Sequence, residues 1–218
     1  VDRQTRLLPD EILVGGEPAT DVSGATALPD NGAVEFAQTV RDEGAHVALV
    51  KGLSFGYLCD IERISPETVT IGRWSDAEWE AVVTEGDPAA QAAEHMDVHM
   101  EHWDDYQHCV DYWEILNEVD PPSIEGHVWL AEFFKAAMTI AEPHGYKLAL
   151  FSYSMGVPEI YEWEAIAETG VFARAQDGGH ILSLHEYGGP LMSSRWGEAL
   201  PLYPGQDPED PSLPRYPD

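Results

Sequence analysis

Tyr112 to Asn117 reads Y-W-E-I-L-N, a short aromatic and apolar run that ends on an amide and runs directly into Glu118. A run this short and this apolar fits a strand covered on both faces. Downstream, Pro121 and Pro122 break the chain, and Ser123 can cap a helix whose apolar face carries Trp129, Phe133, Ala137 and Ile140. Pro143 and Gly145 end that helix, and Lys147 to Ser152, K-L-A-L-F-S, reads as the next strand. Pro158 to Thr169 reads as a helix stopped by Gly170, and His180 to His185, H-I-L-S-L-H, as a further strand.

The same alternation runs upstream. Thr68 to Arg73 (T-V-T-I-G-R) and His46 to Val50 (H-V-A-L-V) read as strands, separated by a helix over Phe55 to Ile64 that Ser65-Pro66 closes. Ala33 to Glu43 has helical spacing and stops at Gly44, and Glu11 to Gly15, E-I-L-V-G, is the earliest strand candidate. Between Arg73 and Tyr112, Pro88 sits where a helix would start, and Ala92, Met96, Trp103 and Val110 recur every three or four residues with drift. Six strands alternating with helices predict parallel pairing and an α/β fold of TIM-type (β/α) barrel class, with about six of eight units present over residues 1–189. From residue 190 onward the prolines Pro190, Pro201, Pro204, Pro208, Pro211, Pro214 and Pro217 predict a loop or tail.

In a parallel barrel, chemistry gathers at the C-terminal ends of the strands. Read strand by strand, those ends deliver Gly16 and Glu17, then Lys51, then Arg73 and Trp74, then Asn117, Glu118 and Asp120, then Tyr153 and Ser154, then His185, Glu186 and Tyr187. Side chains alternate along a strand, so Glu114 shares the face of Glu118 and lies deeper. A buried carboxylate needs a cation or a donor, and Lys51 and Arg73 on the two preceding strands are the candidates.

Asp111 to Pro122, D-Y-W-E-I-L-N-E-V-D-P-P, resembles the fourth-strand motif of glycoside hydrolase clan A, in which an aromatic-rich strand ends in Asn-Glu. The ending S-L-H-E-Y, Ser183 to Tyr187, is similar to the clan's sixth strand. The resemblance implies a retaining O-glycoside hydrolase acting on a β-linked glycan or glycoside. Glu118 would be the acid/base, and Asn117 would bond the sugar hydroxyl beside the anomeric carbon. Arg73, Trp74, Tyr153, His185 and Tyr187 would line the substrate site, and Trp74 and Tyr187 offer flat faces for a sugar ring. Two departures stand out. Val119 occupies the place where the clan has proline, and no seventh strand delivers the clan's nucleophilic glutamate. Glu186 is the local candidate for the second carboxylate, and a missing segment or a second chain is expected to complete the barrel. Two other readings stay open: a catalytically silent carbohydrate-binding barrel, and a structural or assembly protein using the barrel as scaffold.

Composition narrows the partners. The 218 residues carry 40 Asp and Glu against 11 Lys and Arg, a formal charge of −29, spread along the chain. Such a field repels nucleic acid and anionic membranes. It fits a salt-adapted surface and an ordinary acidic protein equally. No apolar run spans a bilayer. No signal peptide opens the chain, although one already removed would leave the same picture, and an extracellular location is favoured. Cys59 and Cys109, 50 residues apart, form no disulfide framework and no zinc signature, which predicts buried thiols. His95, His99 and His102 share one helical stripe, read as a solvated polar face and not as a metal site. No cofactor is expected.

Overall fold

Local chemistry sets the helix ends. The chain is described by a computed structural model over residues 32–76, 79, 81–154 and 156–185. Helix α1 is Ala33–Asp42 and α2 is Phe55–Ile64, as the spacing predicts. Helix α3, Pro88–Met100, starts on the Asp87 carboxylate, which accepts from Ala89 N at 3.1 Å, with Pro88 in the first turn. Helix α4, Ile124–Ala141, starts on Ser123, whose hydroxyl accepts from Gly126 N at 3.3 Å. In α5, Ile160–Glu168, Glu159 and Glu162 form a reciprocal capping box. After Gly170 the chain forms a further helix, α6, Val171–Gly178, for which the sequence carried no expectation.

The strands are β1 (Leu49–Gly52), β2 (Val69–Arg73), β3 (Tyr112–Glu114), β4 (Leu148–Ser154) and β5 (Ile181–His185). They form one parallel sheet in sequential order, β1-β2-β3-β4-β5, curled into a half-barrel and flanked by helices. The α/β class and the parallel pairing expected from the sequence are therefore present. The finer barrel assignment, with six of eight units, goes beyond this sheet. The strand expected at Glu11 to Gly15 and the Pro-rich segment from residue 190 lie outside the described residues. The expected fourth strand is shorter than its apolar run: the ladder ends at Glu114, and Glu118 turns away with φ 51°.

The outer face of the sheet and the helices enclose the core. Trp113 stacks on Trp103 at 4.7 Å between ring centres and meets Phe55 edge-on at 5.0 Å. Phe133, Phe134, Leu148 and Leu150 extend this layer. A Cβ at Gly52 would lie 2.0 Å from the Tyr57 hydroxyl, so any side chain there has to displace that ring. At the N-terminal side of the strands, Glu142 accepts from both Arg174 nitrogens at 2.5 and 2.6 Å and from His180 Nε2 at 3.1 Å. His180 Nδ1 in turn accepts from Leu148 N at 2.8 Å, so one carboxylate ties α4, α6, β4 and β5 together.

Two expectations fail here. Cys59 and Cys109 are not thiols but a disulfide, with Cα atoms 4.8 Å apart. The α2 helix packs beneath β2 and β3 and brings Cys59 to the segment entering β3, a contact that the sequence separation hides. His95 and His99 are not a solvated face. They are buried, stacked 5.0 Å apart, and both point Nε2 at the Trp79 carbonyl, at 2.7 and 3.3 Å. Helix α3 lies against α4, and Phe133 meets His95 at 5.5 Å, so the stripe faces a neighbouring helix. Only His102 of the three is exposed.

Candidate functional site

The inward sides of β1, β2, β3 and β5 deliver charged groups to one place. Arg73 and Glu114 are register partners across β2 and β3. Glu114 is buried and lies 2.6 Å from Lys51 Nζ and 3.6 Å from Arg73 Nη1. Ser183, on β5, donates to its other oxygen at 2.9 Å. Glu114 therefore occupies the inward position that strand alternation assigns it, with the two expected cations beside it. Burial alone would raise its pKa, but the side chains around it, the Lys51 ammonium among them, outweigh that penalty and hold it down at about 2. It is an ionised group at neutral pH.

His185 links this buried carboxylate to the rim. Its Nδ1 lies 3.0 Å from Glu118 Oε1, and its Nε2 lies 2.5 Å from Lys51 Nζ. Arg73 donates to the Asn117 side-chain oxygen, so the two residues of the Asn-Glu pair are held from different sides. Glu118 N also donates to Ser152 O at 3.0 Å, which fixes the left-handed turn at Glu118 against β4. Lys51, Arg73, Glu114, Asn117, Glu118, Ser183 and His185 thus form one connected polar cluster beyond and within the sheet.

Two other residues assigned to the site stand elsewhere. Trp74 stacks on His102 at 4.2 Å and meets His99 edge-on at 5.5 Å, so one of its faces is covered by the segment that follows α3. Tyr153 is fully buried in the helix layer. Its hydroxyl bonds His127 Nδ1 at 2.8 Å, and its ring packs on Phe151 and Trp163. The cause is a β-bulge in β4. Phe151 and Ser152 take positive φ, 72° and 52°, and the register with β5 slips between Phe151 and Tyr153. A single extra residue reverses the alternation, so Tyr153 pairs with Leu184 on the helix side while Ser154 pairs with His185. Glu186 and Tyr187 lie outside the described residues.

Ser183 was not singled out by the sequence reading, although it shares the parity of His185 two residues on. The contact between His185 and Glu118 joins β5 to the end of β3, and nothing in the local sequence announces it. Among the described residues the group with metal-donor spacing is Cys59, His108 and Cys109, and its two sulfurs are bonded to each other. No helix among them is long and apolar enough to cross a membrane. No family model matches the chain, and no curated protein matches it either.

Proposed function

We propose that the chain supplies six units of a TIM-type barrel resembling clan A glycoside hydrolases and acts as a retaining O-glycoside hydrolase on a β-linked glycan or glycoside. One observation carries this reading. The Asn117–Glu118 pair stands at the C-terminal side of a parallel sheet, bonded from below by Arg73 and His185. Glycosidic cleavage protonates a poor leaving group as positive charge develops on the ring, and an oriented carboxyl at a strand end can deliver that proton. In this reading Glu118 is the acid/base and Asn117 bonds the neighbouring sugar hydroxyl. The partner carboxylate has to lie about 5–5.5 Å from Glu118. Glu114 is fixed in its ion pair with Lys51, so Glu186 or a glutamate from a further strand fills that role.

The test is Glu118→Gln in the complete protein, assayed on substrates with good and poor leaving groups. Poor leaving groups should lose about 100-fold or more in kcat, good ones far less in the first step, and azide should partly restore turnover. Equal losses for both substrate types, with no azide effect, would remove Glu118 from the acid/base role. Oligosaccharide binding without any cleavage by the unsubstituted protein would instead establish a silent carbohydrate-binding barrel.

A further inference from the structure

We propose that Lys51 and Glu114 are positioning residues that fix His185 as its Nδ1-protonated tautomer, so that His185 holds the Glu118 carboxylate by donating to it. The role given to Glu118 rests on the glycosidase reading above; the tautomer does not.

The argument is one of donors and acceptors. An ammonium has three donors and no acceptor. Lys51 Nζ lies 2.5 Å from His185 Nε2, so that nitrogen must present a lone pair. A neutral imidazole with a bare Nε2 carries its proton on Nδ1, and Nδ1 faces Glu118 Oε1 at 3.0 Å. The competing arrangement is an imidazolium donating to both carboxylates. It would leave the Lys51 ammonium against an N–H, and its contacts to Glu114 are the longer ones, at 3.3 and 3.5 Å. Glu114 holds Lys51 in place through the 2.6 Å contact, while Ser183 and Arg73 orient the carboxylate from β5 and β2. The chain of polarity runs from Lys51 through His185 to Glu118.

Long-range proton–nitrogen spectra of the 15N-labelled full chain at neutral pH read the tautomer directly, with His185→Gln identifying the signal. A bare Nε2 and a protonated Nδ1 are expected; a protonated Nε2, alone or with Nδ1, overturns the proposal. Lys51→Met combined with Glu114→Gln removes both charges together and should abolish the preference for the Nδ1–H form. An unchanged tautomer in that variant would show that Lys51 does not set it. If the variant fails to fold, the unsubstituted spectrum still decides. On a glycoside substrate the double variant should lose at least about tenfold in kcat with little change in KM. A protein that shows the expected tautomer, and its loss in the variant, yet cleaves no glycoside upholds the positioning and overturns only the glycosidase reading.

Discussion

Glu114 shows how one buried residue can organise a site. Its carboxylate is 1% exposed and sits against Lys51, whose removal as Lys51→Met leaves the charge without its nearest cation. The expected cost is about 3 kcal/mol, read by urea unfolding with circular dichroism to check the native fold. Glu114→Gln should cost less, because an amide can keep the Ser183 bond. The pH dependence has a definite sign. Its folded pKa of about 2 lies below the ordinary 4.5, so the stabilisation is complete above 4.5 and is lost as pH falls toward 2. The inward position of Glu114 was legible because it depends only on two-residue alternation counted back from Glu118. The orientation of Tyr153 was not, because the same counting rule fails beyond an inserted residue, and Phe151 and Ser152 carry no glycine to announce positive φ.

Among the elements, α3 departs furthest from its sequence pattern. Burial, then the proximity of His95, lowers the pKa of His99 to about 3, and burial lowers His95 as well. Both rings are therefore neutral in the folded protein while the unfolded chain takes up protons below about 6.5. Stability should fall as pH drops from 6.5 toward 3, by about 1.4 kcal/mol per unit for each ring that stays neutral across the interval. Denaturation curves across that range should be flatter for His99→Phe than for the unsubstituted chain; an unchanged slope would place the acid sensitivity elsewhere. Hydropathy counts histidine as polar, and the groups that bury this pair, the Trp79 carbonyl and the Phe133 ring, come from distant sequence. The helices α1 and α2 were legible because glycine and Ser65-Pro66 mark their ends locally. The link between α2 and the entry to β3 is non-local, so Cys59 and Cys109 gave no sign of pairing. Reduction should lower stability by about 2–4 kcal/mol, measured by denaturant unfolding with and without a dithiol.

At the scale of the whole molecule, a formal charge of −29 sets the response to salt. Self-repulsion opposes the compact state, so the melting temperature should rise with added sodium chloride. Screening alone is nearly exhausted at 1 M, where the Debye length is about 3 Å. A plateau there identifies an ordinary acidic protein, a continued rise identifies a salt-adapted surface, and a flat profile would mean that repulsion contributes little. The parallel order of the sheet was legible because each strand is followed by a helix, which forces crossover connections. The meeting of β3 and β5 over His185 was not, since it depends on curvature across β4. The bulge in β4 works like a frameshift inside a strand. Upstream of it, odd-numbered residues look toward the groove; downstream, even-numbered ones do. Deleting Ser152 alone would remove the unpaired residue and leave Tyr153 opposite Leu184 and Ser154 opposite His185. A one-codon loss at the bulge thus removes a hydroxyl and leaves the groove lining beside His185 as it was.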